Sequence, residues 1–376
     1  MGHLVNSKEA VYRALAERLN KNPVGAPVNE TLMAILHRLY TQSEAEVGSR
    51  FPLLPMTADK IAGITGWGEA ELKAVLEQMA DKGLVIDLPR KDGVYYMLAP
   101  MVVGFFEYTF MRVSKEVPMK ELAELFERYF ASAGVREEIF GGTTKMFRTL
   151  VYENLIPAAV ETEVLSYEKA SEIIRAAGGG ALTVCACRHK TLHLGKACQF
   201  NAPLEDVCTS LGGAARWLIS RGFARPATVD ELLRVLDKTE KLGLVHMGDN
   251  VLNNPAYICH CCGCCCGVLR TINETGVIAL HPSNFIAEVD AELCEGCGVC
   301  ADRCHISAIQ MTAAGGSEPG DRERPVVQKD LCIGCGVCAA GCPTGALQMS
   351  RRASLYNPPR DKKEQMRAIA SEKGRF

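Results

Sequence analysis

The chain has 376 residues, a formal net charge of −2 and a pI near 6.5. That balance disfavours nonspecific binding to nucleic acid or to acidic membrane surfaces. Hydrophobic residues make up 48% of the chain, enough to fill the cores of several domains, and 18 are cysteines.

The opening, "MGHLVNSKEAVYRALAERLN", predicts an amphipathic helix with Val11, Leu15 and Leu19 on one face. It lacks the apolar centre of a secretory signal and the Ser or Thr of a myristoylation pattern. "NKNPVGAPVN" is a Pro/Gly linker. Helical patterns follow in "ETLMAILHRLYT", "TADKIAGITG" and "GEAELKAVLEQMADKG". Next comes a strand–turn–strand, "LVIDLPRKDGVYYMLAP", with its turn at Lys91-Asp92-Gly93. This order over roughly 28–100 resembles a winged helix-turn-helix domain. The expected recognition helix is acidic, however, with Glu69, Glu71, Glu77 and Asp81 against Lys73 and Lys82. DNA insertion needs a basic face, so protein docking or cluster shielding is the expected role. The longest apolar stretch, "YYMLAPMVVGFF", is too short to cross a bilayer and is broken by Pro100 and Gly104.

Residues 101–176 read as a helical connector. "GGGALTVCACR" then switches to a short β run, and "LGGAARWLISRG" returns to helix. "TVDELLRVLDKTEKLG" is a further helix, with Thr228 and Glu231 fitting a capping box. The polar loop "TAAGGSEPGDRER" separates two cysteine runs near the end. The tail from Arg351 carries eight Lys/Arg against three acids and reads as a partly helical basic arm.

Those two runs are an internal repeat. "VDAELCEGCGVCADRCHISAIQM" aligns without a gap on "VQKDLCIGCGVCAAGCPTGALQM". Each reads C-x2-C-x2-C-x3-C, a local loop of soft thiolates suited to iron in a sulfide cluster. Zinc is disfavoured, since its sites pair C-x2-C knuckles. The pattern, over about 286–350, resembles the bacterial-type dicluster ferredoxin family. That resemblance implies two 4Fe-4S clusters of low potential, on the order of −400 mV. It implies Cys294, Cys297, Cys300 and Cys342 at the first, and Cys332, Cys335, Cys338 and Cys304 at the second. The first run departs from the family by having His305 where the second has Pro343. His305 is either a tolerated loss of a turn proline or a hydrogen-bond donor to a cluster.

Ten more cysteines lie upstream: Cys185, Cys187, Cys198 and Cys208, then Cys259, Cys261, Cys262, Cys264, Cys265 and Cys266. They exceed one cluster's needs and predict one or two additional Fe–S clusters, with zinc or a thiol redox site as alternatives. The C-x-C pair at Cys185 and Cys187 is expected on a strand, pointing to one face. In the dense run, alternation favours Cys259 and Cys261 with Cys264 or Cys266. Arg188 and Lys190 would offset thiolate charge. His189, His193 and His246 read more readily as ordinary histidines than as ligands. The segments "CACRHKTLHLGKACQFNAPLEDVC" and "GLVHMGDNVLNNPAYICHCCGCCC" resemble a cysteine-rich domain found ahead of dicluster ferredoxin modules in anaerobe oxidoreductase-associated proteins. That resemblance supplies a class rather than a chemistry.

The expected fold class is α+β, multidomain and mainly helical. Its parts are an N-terminal helix and linker (1–27), a winged-helix-like domain (28–100), the connector (101–176), a cysteine-rich α/β Fe–S domain (177–285), a dicluster ferredoxin domain (286–350) and the basic arm (351–376). The expected function is cytoplasmic single-electron relay to or from a partner oxidoreductase, without DNA or a membrane span. The alternatives are a redox-sensing regulator and an oxidoreductase with a substrate-binding cluster in the middle domain. No dinucleotide fingerprint or phosphate loop is present.

Overall fold

A computed structural model describes residues 2–112, 117–313 and 323–375. The central part of the polar loop between the cysteine runs lies outside the described residues. The chain is mixed α/β, 46% helix and 17% strand, so helix predominates.

Helix α1 (Gly2–Asn20) buries Tyr12, Leu15 and Leu19 against α2 (Glu30–Leu39) and α3 (Gln42–Ser49). Asn29 caps α2 by accepting the Leu32 N–H, and a Thr41/Glu44 capping box opens α3. Then come β1 (Met56–Thr57), α4 (Ala58–Thr65), α5 (Glu69–Lys82), β2 (Val85–Arg90) and β3 (Gly93–Leu98). The three strands form an antiparallel sheet ordered β1-β3-β2. The short helix α3 has only a weak apolar stripe, which is why periodicity misses it.

The connector is not wholly helical. Helices α6 (Phe106–Phe110), α7 (Met119–Ala131) and α8 (Ala133–Phe140) are followed by a strand, β4 (Phe147–Leu150). All four of its residues are buried, so the alternation that marks a half-exposed strand is absent. After β4 come α9 (Ala170–Ala177), β5 (Gly180–Thr183), α10 (Ala186–His193), β6 (Cys208–Leu211), α11 (Gly212–Ser220) and β7 (Arg225–Ala227). Next are α12 (Val229–Lys241), capped by the Thr228/Glu231 box, then β8 (Val245–Asp249), β9 (Tyr257–Cys261) and α13 (Gly267–Thr275). The strands make one six-stranded sheet, β4-β8-β9-β6-β5-β7, with every neighbour antiparallel.

The repeat folds as β10 (Phe285–Val289), α14 (Val299–Asp302), β11 (Ile309–Ala313), β12 (Glu323–Val327), α15 (Val337–Ala340) and β13 (Leu347–Arg351). β10 pairs with β13 and β11 with β12. The basic tail does not stand free. Its helix α16 (Lys362–Glu372) lies back on the chain, with Gln365 fully buried and donating to the carbonyls of Lys145, Met146 and Asn250. Its charges meet acids of the same chain: Arg375 and Lys373 pair with Glu138, and Lys362 with Asp249. One continuous apolar cluster runs from Tyr12 to Ile369. No helix among the described residues is long and apolar enough to cross a membrane.

Candidate metal centres

The ferredoxin-like cysteines line two small cavities of about 20 Å³ each. Cys294, Cys297, Cys300 and Cys342 line one. Cys304, Cys332, Cys335 and Cys338 line the other. Each run thus lends its last cysteine to the opposite cavity. At Gly334 (φ 69°) an added Cβ would fall 2.0 Å from the Phe285 carbonyl oxygen, so this loop closes only on glycine. The Ala308 N–H donates to Cys304 Sγ at 3.2 Å. Cys297 is exposed, whereas Cys332 and Cys338 are buried. Burial pushes the Cys335 thiol up to about 12. Two four-cysteine cradles of this kind fit two cubane clusters by donor set.

The ten upstream cysteines divide. Cys185, Cys187, Cys208, Cys259, Cys261 and Cys266 line a third cavity of about 170 Å³, far larger than the other two, and Cys262 and Cys265 border it as well. Contrary to the strand expectation, Cys185 is the N-cap of α10 and Cys187 lies in its first turn. The β run ends at Thr183, and the alanine between the cysteines continues into helix. Cys266 is the N-cap of α13. The other three come from the sheet. Cys259 and Cys261 alternate on β9, and the register pairing Thr209 with Ile258 sets Cys208 opposite Cys259. Two helix N-termini and one sheet face therefore aim thiols at a common space, and helix N-termini favour anionic ligands. Contact with Cys266 and burial hold the Cys187 thiol well above its usual range. Contact with Cys208, together with burial, does the same at Cys259.

Cys198, Cys262, Cys264 and Cys265 form a tighter group, which shares Cys262 and Cys265 with the wall of the large cavity. Cys266 therefore sides with Cys259 and Cys261, and Cys264 does not. Between the two groups stands Arg188, 4% exposed. Its guanidinium donates to the carbonyls of Pro203 (3.0 Å) and His260 (2.5 Å). A hydrogen bond from Cys265, aided by the Arg188 charge, pulls the Cys262 thiol down to about 4 despite burial.

His305 joins the two regions. Its Nδ1 accepts the Gly263 N–H at 3.1 Å, and its Nε2–H donates to the Gly243 carbonyl at 2.6 Å. Gly263 lies between Cys262 and Cys264, so the residue that replaces proline grips the dense cysteine run. The three other candidate histidines bond within the fold. His189 bonds the Phe110 carbonyl at 2.8 Å and touches His193. His246 shares the Thr239 hydroxyl with His260 and is held neutral by burial.

Sequence reasoning missed Glu107, which lines the large cavity. Burial raises its carboxyl to about 7, although the Gly104 N–H donates to it at 2.9 Å. The turn before it holds Val103 at φ 38°, a strained position for a β-branched residue. The hydrophobic run "MVVGFF" hides this acid, because only the fold brings it to the thiols. A charged chain of Lys190, Glu127, Arg270, Glu274 and Arg136 also lines this cavity.

Residues 293–346 match the family model of the 4Fe-4S dicluster domain. This part of the chain is a ferredoxin-like dicluster module, and the match with the thiol groups supports iron–sulfur clusters as its cofactors. The match spans well under half of the chain. No curated protein and no solved structure matches it.

Proposed function

We propose that the protein relays single electrons between a partner oxidoreductase and the six-thiol chamber of its middle domain, by way of two 4Fe-4S sites. The first site is held by Cys294, Cys297, Cys300 and Cys342, and the second by Cys332, Cys335, Cys338 and Cys304. A further cluster is held among Cys185, Cys187, Cys208, Cys259, Cys261 and Cys266. Bound there, the clusters supply one-electron redox chemistry.

The carrying observation is adjacency. Val245 lines the second ferredoxin cavity and pairs with Cys261 across β8 and β9. One strand residue therefore separates the ferredoxin module from the six-thiol chamber. The exposed Cys297 marks the first site as the face toward a partner, and Leu293, next to Cys294 in the chain, is about half exposed. Val245, Ile306 and Ile333 keep water from the second site.

We assign residues 28–100 to a winged-helix-like domain that docks on the middle domain. Arg221 of the segment after α11 pairs with Glu77 and Asp81 of α5 and with Asp87 of β2. The acidic face that a regulator would turn to DNA is thus engaged within the chain. The volume of the middle cavity, with Glu107 in its wall, favours a second reading, in which the chamber also admits a small substrate.

The test is iron and acid-labile sulfide on anaerobically purified protein, with EPR during stepwise reduction. About twelve or more iron atoms per chain are expected, with more than two interacting signals. About eight, with signals from the ferredoxin pair alone, would remove the chamber from the relay.

A further inference from the structure

We infer that Cys198, Cys262, Cys264 and Cys265 bind a single four-coordinate metal ion of the zinc class, separate from the iron–sulfur clusters. The sulfur tetrahedron carries the argument. Cys198 Sγ lies 3.6 Å from Cys262 Sγ and 3.7 Å from Cys264 Sγ. Cys264 Sγ lies 3.6 Å from Cys262 Sγ and 3.4 Å from Cys265 Sγ. A Zn–S bond of about 2.3 Å gives a tetrahedron edge of about 3.8 Å. A disulfide needs about 2.05 Å, so these sulfurs are not bonded to one another. A cubane seats each thiolate on a different iron and spreads the four sulfurs farther apart. The protein contains its own ruler for this. Among the described residues, this is the only group of three or more ligating side chains whose donor atoms all lie within 4.8 Å of one another. Neither ferredoxin quartet meets that limit. This comparison rests on the ferredoxin sites proposed above.

The surroundings suit a closed, structural ion. Four protein thiols complete a tetrahedron and leave no open position. Cys262 and Cys265 are 1% exposed. A divalent ion with four thiolates carries a net charge of −2, and the Arg188 guanidinium stands against Cys262. Binding releases the thiol protons and oxidises nothing.

The placement shows what the ion would do. Cys198 sits in the irregular segment between α10 and β6, while its three partners sit in the turn between β9 and α13. That irregular segment receives the Cys185 N–H at the Leu204 carbonyl (2.9 Å) and Arg188 at the Pro203 carbonyl. An ion at the quartet pins the segment, and through it sets Cys185 and Arg188 at the six-thiol chamber. Through Gly263 and His305 it also fixes the seat of the ferredoxin module.

The test is element analysis and zinc-edge X-ray absorption on the anaerobically purified full chain. About one zinc per chain is expected, with a shell of four sulfurs at about 2.3 Å. Cys198→Ser and Cys264→Ser should each lose that zinc while keeping the sulfide content and the EPR signals of the reduced ferredoxin pair. One iron in place of zinc, without sulfide and isolated by EPR, would support the same mononuclear site. The inference is overturned if either variant loses about four iron and four sulfide together, or if the wild type holds neither zinc nor an isolated iron. Should a variant fail to fold, the wild-type spectrum decides alone. Absence of labile sulfide in the wild type would sink the electron-relay function and leave the zinc result standing.

Discussion

The ferredoxin-like module and the middle domain solve the same problem, holding thiols around a buried space, by opposite means. The module uses short loops. Three cysteines of each run lie within seven positions, and glycines such as Gly334 let the loop close on itself. The middle domain uses long-range architecture. Its six-thiol chamber takes Cys185 and Cys187 from one helix start, Cys266 from another and Cys208, Cys259 and Cys261 from two strands. A loop-built site needs only its own segment to be correct. A register-built site needs the whole six-stranded sheet, and a one-residue slip would turn Cys259 and Cys261 to the opposite face.

The largest effects should come from removing one thiol on each side. Cys297→Ser is expected to cost about four iron atoms and one reduced EPR signal, leaving the middle domain intact. Cys261→Ser is expected to cost at least as much iron and also to lower thermal stability, because its strand is shared with the sheet. Iron analysis and a melting curve on both variants check the contrast. Equal melting temperatures would show that the two sites depend equally on their surroundings.

This contrast also explains what could be read in advance. The repeat "CEGCGVC" and "CIGCGVC" is legible because spacing within a loop is a local property. The capping box at Thr228 and Glu231 is legible for the same reason. The partition of the upstream cysteines is not. Cys264, Cys265 and Cys266 are consecutive, yet the last caps α13 and lines only the chamber, Cys264 joins only Cys198 and Cys262, and Cys265 between them borders both. Sequence alternation describes β9 up to Cys261 and stops being informative where the strand ends. Glu107 and β4 were hidden differently: both lie in segments so buried that no polar–apolar period marks them.

His305 tests the junction of the two regions. His305→Ala would leave the Gly243 carbonyl and the Gly263 N–H without partners in the interior. The expected cost is about 2–4 kcal/mol, read by denaturant unfolding. His305→Pro restores the residue of the second run but not the two hydrogen bonds, so it should be as unstable while keeping both ferredoxin signals. Full stability in His305→Pro would mean that the junction is held elsewhere.

Glu107 gives a pH signature specific to the chamber. Its carboxyl titrates near 7 in the fold and near 4.5 when unfolded, so the folded state binds the extra proton. This contribution is complete below the unfolded value and is lost as pH rises through about 7. The loss amounts to up to about 3 kcal/mol. Glu107→Gln should flatten stability between about pH 4.5 and 7, the span between the unfolded and folded values, and an unchanged slope would place the titration on another group.

The smallest expected effect concerns the contact of Arg221 with residues 28–100, the segment proposed to dock as a domain. Arg221→Ala removes the partner of Asp87, which is 15% exposed, and of Glu77 and Asp81, which are 60% and 63% exposed. The exposed pairs contribute little, so the cost of about 1–2 kcal/mol should come from Asp87. Burial alone would raise the Asp87 carboxyl. The hydrogen bonds from Arg221 and from Trp217 Nε1 (2.8 Å) outweigh it and hold the group below 3.8. A depressed carboxylate stabilises the fold above its unfolded value, and that contribution fades as pH falls through the folded one. Wild type should therefore lose stability below about pH 4, and Arg221→Ala should lose less over the same interval. If the domain is held by this arginine, limited proteolysis should cut Arg221→Ala between residues 100 and 120 sooner than wild type, with the iron content of both unchanged. Equal cutting would show that apolar packing carries the docking instead: Gly83 at the end of α5 lies against Tyr108 and Phe223, and the Tyr108 ring sits tilted at 4.8 and 5.6 Å from the rings of Trp217 and Phe223.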